Sequence, residues 1–592
     1  MKLEKLRSLM NREGMDYYLV PTDDFHSSEY VGEYFQSREF LSGFTGSAGT
    51  LLVGKEFAGL WTDGRYFLQA ADQLKDTGIE LMKMGEEGVL TLTEYLKEHY
   101  FEGMTLGFDG RCVSAGFMEE LEEALEGKTL RVAYEKDLVD EIWEDRPALS
   151  AKPAWFLEDE LCGASRKEKI AAVREAMKEK GAKSLLLTSL DDIAWLFNMR
   201  GNDVAYNPVV LSFALITEKE VRLFVQKGVL NAEQEISFVM DGILLDSYLN
   251  VYEYVKTLKE DSIWLDDQKT SYSLMENLPK EMTKIKELTP AAAMKCVKNE
   301  KEQENMKLAH LKDGVAVTKF MCWLKKNVGK VPMTEISLQE CLKKYRAEQK
   351  DFVEESFSPI AGYEAHGAII HYEATEETNA QIRPEGLLLM DTGAQYLQGT
   401  TDITRTFALG EVSAQAKKDF TMVLRSNLQL GAAKFKEGCG GENLDILARA
   451  PFWEEGLDYN HGTGHGVGFV LNVHEAPGRI MWKKRPGSKE DMTLKEGMIL
   501  SNEPGYYLEG HYGIRLENLI LCKKAQKTEY GQFMEFETLT LVPFDLDAVD
   551  ISLLDARERA LLNAYHKRVF EALSEFMTED ERAWLKTATR EV

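Results

Sequence analysis

Apolar residues recur along this chain in two rhythms, one returning every three to four positions and one alternating or running continuously over four to six. Residues 3–12 set leucines at helical spacing among Lys, Glu and Arg, which predicts a helix with one buried face. Residues 14–24 (GMDYYLVPTDD) then read as a glycine stop, a short strand and an acidic loop. The same order returns 167 residues later, with a charged helix over 165–180 followed by GAKSLLLTSLDD at 181–192. Each copy continues into a Gly-bearing segment (FLSGFTGSAG, 40–49; WLFNMRGNDV, 195–204) and then into strand-like runs at 50–53 and 221–225. Two related α/β domains are therefore expected, 1–150 and 151–297, joined by the charged, Pro-containing segment 140–153. A long charged helix beginning at Asn299 opens a third region, 298–592, whose amphipathic tail at 556–586 is expected to pack as a helix on that last domain.

Composition narrows the partners. With 592 residues, 44% hydrophobic and 29% charged, there is material for several packed cores. The net charge of −28 repels phosphate backbones and anionic lipid surfaces, so nucleic acid is not an expected partner. No stretch approaches the roughly 18 uninterrupted apolar residues of a membrane span, and the charges within residues 1–20 leave no signal-peptide core. The seven cysteines are odd in number, scattered and free of Cys-x-x-Cys pairs, the usage of unpaired thiols in a reducing compartment. The expectation is a soluble, cytoplasmic protein without a membrane partner.

Candidate chemistry concentrates in the third region, where six of the ten histidines (His366, His371, His461, His465, His474, His511) fall within 146 residues. The apolar run 386–390 ends in Asp391, a Gly-bearing turn follows, and the β-branched run 400–407 contains Asp402. A hairpin would bring both aspartates to one place; taken alone they read equally as a solvated pair at a strand mouth. In HGTGHGVG (461–468), His461 and His465 have i, i+4 spacing, but four glycines argue against a helix. The segment is expected to be a loop or strand edge that allows close backbone approach. Residues 498–503 read as a strand ending in Glu503, and YGIRLENLIL (512–521) as one strand with Glu517 in its middle. One His with four carboxylates is a hard, oxygen-rich donor set able to hold two divalent ions ~3.5–4 Å apart, favouring Mn²⁺ and compatible with Co²⁺, Fe²⁺ or Zn²⁺. No Cys joins the set, and no His-Glu-x-x-His, Gly-x-Ser-x-Gly or P-loop motif occurs.

At these residues the chain resembles the pita-bread metallopeptidases, and most closely the long, three-domain aminopeptidase P family. The resemblance extends over nearly the whole chain, in FLSGFTGSAGT (40–50), LWTDGRYFLQA (60–70), SLDDIAWLFNMRGNDVAYNPV (189–209), GAIIHYE (367–373), MDTGAQYLQGTTDITRT (390–406), HGTGHGVGFVLNVHEAPG (461–478) and SNEPGYYLEGHYGIRLENL (501–519). It implies two N-terminal α/β domains before a pita-bread catalytic domain. It also implies a dinuclear site with Asp391, Asp402, His465, Glu503 and Glu517 as ligands, Asp402 and Glu517 bridging. His371, His461 and His474 match catalytic and substrate-binding histidines, and Arg515 an arginine beside the site. Departures at His366, Gln398 and Ala476 touch no matched ligand.

The implied activity is metal-assisted hydrolysis releasing the first residue from peptides with proline second. Glu503 is then the general base, His371 stabilises the oxyanion, and His461 with His474 receives the pyrrolidine ring. A homodimer is implied as well. Arg65, in LWTDGRY, is a weaker candidate substrate contact, the plainer reading being an Asp-Gly turn. The alternatives are a prolidase of the same fold and, less favoured, a metal-free peptide-binding module.

Overall fold

A computed structural model describes residues 2–483 and 491–592. Two compact units emerge, Met1–Leu157 with Ala164–Ala291, and Glu158–Gly163 with Ala292–Val592.

The N-terminal unit repeats one plan twice. Its first sheet orders its strands Glu80–Lys83, Ala58–Thr62, Thr50–Gly54, Tyr17–Pro21, Thr105–Phe108, Arg131–Ala133. Its second runs Ile243–Ser247, Val221–Val225, Ser212–Thr217, Ser184–Leu187, Ser262–Leu265, Thr283–Lys286. In both, the first strand in sequence is central, pairs antiparallel with a hairpin on one side and parallel with a crossover strand on the other. The helix before each central strand stops at a glycine of positive φ, Gly14 at 72° and Gly181 at 77°, where a side chain would be strained. The helix Arg166–Lys180 also starts on a Ser165–Glu168 capping box.

In the C-terminal unit the 28-residue helix Glu300–Asn327, capped by Asn299, lies against a three-stranded antiparallel sheet. Its central strand, Leu387–Thr392, pairs with Ile360–Tyr363 and Ile403–Ala408. Val317, Phe320, Met321 and Leu324 of the helix pack on Leu388, Met390 and Phe407 of that sheet. A second sheet runs Lys434–Lys436, Gly531–Thr538, Asn518–Thr528, Ile499–Asn502, Gly464–Gly466, Glu475–Ile480. Apolar residues of the helices Ala414–Gly431 and Gly441–Trp453 join the cores beside these sheets.

Three local expectations are corrected. Residues 512–521 are not one strand: Tyr512–Arg515 pairs with Gly505–Leu508, whereas Asn518–Thr528 pairs with Ile499–Asn502, leaving Glu517 at the joint. The histidine–glycine segment is loop at 461–463 and 467–468, as expected, but its middle, Gly464–Gly466, is a short interior strand rather than an edge. The tail is two helices, Ala556–Leu573 and Glu579–Ala588, because a Thr578–Glu581 capping box starts a second one. Among the described residues no helix is long and apolar enough to cross a membrane, and all seven cysteines are free thiols.

Candidate metal centre

The acidic residues converge because each sits at or near a strand end. Asp391 lies one residue from the end of Leu387–Thr392 and is in register with Thr404. Asp402 immediately precedes Ile403–Ala408, and the backbone N–H of Glu517 donates to the carbonyl of Thr404 at 3.0 Å. Glu503 follows Ile499–Asn502, its N–H held by the Thr463 carbonyl at 2.9 Å. His465 is the middle residue of Gly464–Gly466, and both glycines are required there. A Cβ on Gly464 would stand 2.0 Å from the Ser501 carbonyl oxygen, and one on Gly466 2.3 Å from that of Glu475.

Ligand atoms of Asp402, His465 and Glu517 lie within 4.8 Å of one another. His465 Nε2 is 3.4 Å from Asp402 Oδ2 and 3.4 Å from Glu503 Oε1. Its Nδ1 donates to the Gly466 carbonyl at 2.9 Å, which leaves Nε2 as the ring nitrogen that faces the carboxylates and would bind a metal once its proton is lost. Thr404 Oγ1 donates to Glu517 Oε2 at 2.8 Å, and Ser501 Oγ to Glu503 Oε1 at 3.1 Å. Arg515 Nη2 pairs with Asp391 Oδ2 at 2.7 Å, while its Nη1 donates to Tyr507 Oη at 2.8 Å. Tyr507 Oη in turn lies 2.8 Å from His461 Nε2, so a connected chain runs from Asp391 through Arg515 and Tyr507 to His461. His461 Nδ1 is 3.9 Å from Glu503 Oε2, and the His474 ring stands edge-on to His465 at 4.3 Å. His371 occupies the turn after Glu364–Ala368, next to Ile370, whose carbonyl accepts from Arg515 Nη2 at 3.4 Å.

Four carboxylates here face two cationic groups. Burial pushes the Asp391 carboxyl above its usual range, with Arg515 opposing and Asp402 adding to the rise. Burial raises Glu503 too, against the pull of His465 and Arg515. Glu517 is raised well above its usual range by burial and by the charges of Asp402, Asp391 and Glu503. Burial alone would lower His465, but Asp402 and Glu503 override it and lift its pKa to about 9. Oδ1 of Asp391 is buried and accepts no hydrogen bond among the described residues. An orphaned carboxylate oxygen and three carboxyls held against ionisation are what a site built for divalent cations shows when its charge is not offset. The donor set, oxygen-rich with one imidazole nitrogen, fits such ions.

Reading the sequence did not find Tyr507, Thr404 or Ser501; the only local signal for Tyr507 is its place in GYY directly after Glu503-Pro504. Burial pushes the Tyr507 phenol up to about 12, with Arg515 opposing. His366 is held by Glu335 at 2.8 Å and stacks on Tyr372. Arg65, in the N-terminal unit, pairs with Asp63 at 2.8 Å within its own turn.

Comparison with known proteins shows the family. Residues 304–524 match the model of metallopeptidase family M24 and 532–592 its C-terminal region. Residues 2–141 and 145–302 each match a creatinase/prolidase N-terminal domain. Aminopeptidase P1 of Arabidopsis thaliana is 36% identical over 100% of this chain and 99% of that protein. Xaa-Pro aminopeptidase 1 of Dictyostelium discoideum is 36% identical over 99% of this chain and 95% of its own length. The solved X-prolyl aminopeptidase of Caenorhabditis elegans, described as a cytosolic enzyme with a di-nuclear active site, superposes with a TM-score of 0.95 at 34% identity, covering 100% of this chain and 99% of that one. The fold and site thus define a metallopeptidase with creatinase-type N-terminal domains, and the chain belongs to the aminopeptidase P group of family M24.

Proposed function

We infer that this chain removes the residue preceding proline from the amino terminus of peptides, as a dinuclear metallo-aminopeptidase. The observation that carries the reading is the convergence of Asp402, His465 and Glu517 beside an Asp391 oxygen that has no hydrogen-bond partner among the described residues. Asp391, Asp402, His465, Glu503 and Glu517 would hold two divalent ions, Mn²⁺ by the hardness of the oxygen donors. When bound, such ions supply an acidified water and Lewis-acid polarisation of the scissile carbonyl.

The chain's own groups do the rest. Glu503, steadied by Ser501, accepts the proton of the attacking water and returns it to the proline nitrogen. His371 donates to the carbonyl oxygen as charge develops on it. Arg515 offsets the charge of Asp391 and holds Tyr507, which fixes the ring of His461. His461 and His474 offer ring faces to the pyrrolidine. The bond before proline is a tertiary amide without an N–H, so a site that reads ring shape accepts it where one demanding a backbone donor does not.

A homodimer is part of this reading, supported by an exposed apolar face on which Ile446, Trp453 and Trp482 are 42%, 40% and 45% open and the two indoles meet at 5.7 Å. So are a cytosolic setting, supported by the free thiols, and a division of the chain near 150 and 297, supported by the repeated sheet plan. The test is turnover of Xaa-Pro, Xaa-Pro-Yaa and Xaa-Ala-Yaa with Mn²⁺ added, followed by mass spectrometry of the products. Release of Xaa from Xaa-Pro-Yaa alone is expected. Cleavage of the dipeptide without the tripeptide would make the enzyme a prolidase, and indifference to proline would remove the assigned specificity.

A further inference from the structure

Behind the acidic site, in the catalytic unit, lies a second buried charged cluster that touches no candidate ligand side chain. Asp313, on the helix Glu300–Asn327, and Arg346, on the helix Glu335–Ala347, form a two-pronged ion pair at 2.8 and 3.1 Å, both side chains 0% exposed. The remaining contacts of this pair all fall on one short stretch of chain. Arg346 Nη1 donates to the Gly393 carbonyl at 3.0 Å and Nη2 to Thr392 Oγ1 at 3.1 Å, which are the two residues following Asp391. Asp313 Oδ2 accepts from Thr401 Oγ1 at 2.7 Å, the residue preceding Asp402, and Oδ1 accepts from Tyr396 Oη at 3.1 Å. Thr401 is fixed further by the Ala394 N–H on its Oγ1 at 3.0 Å and by Ser356 Oγ on its carbonyl at 2.8 Å. The backbone leaves no slack, since a Cβ on Gly393 would stand 2.1 Å from the Thr401 carbonyl oxygen.

We propose that the Asp313–Arg346 pair is a positioning staple for the metal site, setting the separation of the Asp391 and Asp402 carboxylates by gripping the chain just after one and just before the other. A fully buried ion pair contributes little net stability, because desolvation offsets its attraction, so stability is a poor account of why this one is here. Its geometry supplies a better one. Asp313 meets four donors, and the guanidinium fork reaches an acid, a hydroxyl and a carbonyl at once, which an ammonium cannot do. The staple joins two helices to both ends of the segment between the hairpin strands, so the two aspartates are held to a common frame although they stand 11 positions apart in sequence. Neither residue touches substrate; both act through the backbone that carries the ligands.

The inference rests on the metal reading above, and calorimetric titration of the metal-free full-length protein with Mn²⁺ separates the two. If the parent protein binds no Mn²⁺, the metal reading itself fails. If it binds, Thr392→Val and Arg346→Lys should each weaken Mn²⁺ 10- to 100-fold, the usual effect of removing a group that orients a ligand. KM for a Xaa-Pro-Yaa peptide at saturating Mn²⁺ should stay within about twofold, on the view that substrate contacts are untouched. Arg346→Lys against Arg346→Met discriminates a positioning role from a merely structural one. Lysine keeps the charge beside Asp313 but loses the fork, so it should recover thermal stability relative to methionine without recovering Mn²⁺ affinity. Affinity that follows melting temperature across the series would overturn the proposal. So would unchanged affinity in Thr392→Val and Thr401→Val, the near-isosteric variants that remove the gripped hydroxyls and carry the test if the Arg346 variants do not fold.

Discussion

His26 in the N-terminal unit and His465 in the catalytic unit answer enclosure in opposite ways. His26 is 1% exposed, with Nδ1 on the Thr188 carbonyl at 2.8 Å and Nε2 on the Tyr248 hydroxyl at 2.6 Å. Burial lowers its pKa, and the opposing charges of Asp24 and Asp203 do not undo the lowering, since both ring nitrogens bond neutral oxygens. His465 feels the same pull of burial, yet Asp402 and Glu503 at 3.4 Å reverse it and lift it to about 9. Enclosure therefore does not decide whether a histidine is structural or ligand-like; the charge its free nitrogen faces does.

The sharpest way to break this comparison is to disarm one centre at a time. Asp402→Asn should strip bound metal and lower kcat/KM about 10³-fold or more, as expected when several kcal/mol of metal assistance is lost. His26→Gln should leave metal content unchanged by elemental analysis. Metal retained in the first variant, or lost in the second, would show the two clusters to be wrongly sorted.

His371→Ala should keep its metal and lose roughly 10²–10³ in kcat, the size of one oxyanion donor. A variant that binds no metal would instead make His371 a ligand.

The raised groups set the sign of the pH response. In the metal-free protein near neutral pH, His465 (about 9) carries a proton, and burial beside Asp402, Asp391 and Glu503 shifts Glu517 in the direction of its neutral form. Mn²⁺ must displace the His465 proton, so loading should release protons, and affinity should fall by about tenfold per proton for each pH unit of acidification. Titration in two buffers of different ionisation enthalpy counts the protons; release of none would contradict the assigned charge state. The same shift means that His465 stabilises the metal-free fold fully below about 6.5 and that this contribution is lost as pH rises through about 9.

Smaller effects sharpen the structural side. His26→Gln should cost about 1–3 kcal/mol in chemical denaturation through the buried partner left unsatisfied. His566, in the catalytic unit, is a second structural case. Burial and then the charge of Arg405 lower it to about 3, and its Nε2 accepts the Phe544 N–H at 3.1 Å. Its depressed pKa makes its contribution complete above about 6.5 and lost progressively toward pH 3, at about 1.4 kcal/mol per unit. His566→Gln should flatten the acid limb of stability relative to the parent; an unchanged slope would mean that His566 is not the group being titrated.

Much of this was legible in the residues because the signals are local. The continuous apolar run into Asp391, the turn and the β-branched run through Asp402 specify a hairpin within about twenty residues, so the pairing of Asp391 with Thr404 needed no distant information. The repeat of helix, glycine and central strand at Gly14 and Gly181 is local in the same sense, and two sheets of one plan follow from it. Glu517 reads in the sequence as a candidate ligand but is misplaced there within a strand. The chain there exchanges the Gly505–Leu508 partner for Ile499–Asn502, and only the competition between two sheets decides that. The glycines around His465 announced close approach, but that Ser501 and Glu475 make it, turning the segment into an interior strand, depends on sheet order.

By itself, then, the sequence determined the elements, the repeat and the candidate donors, because hydrophobic period, turn residues and side-chain chemistry are properties of neighbouring positions. Tertiary structure alone decided the rest. Arg515 meets Asp391 across 124 residues, Tyr507 bridges Arg515 to His461, and Asp313 meets Arg346 on another helix to grip both ends of the 391–402 hairpin. Such contacts are fixed by how sheets and helices pack and by the need to satisfy every buried charge, and no short-range pattern records which distant partner will satisfy it.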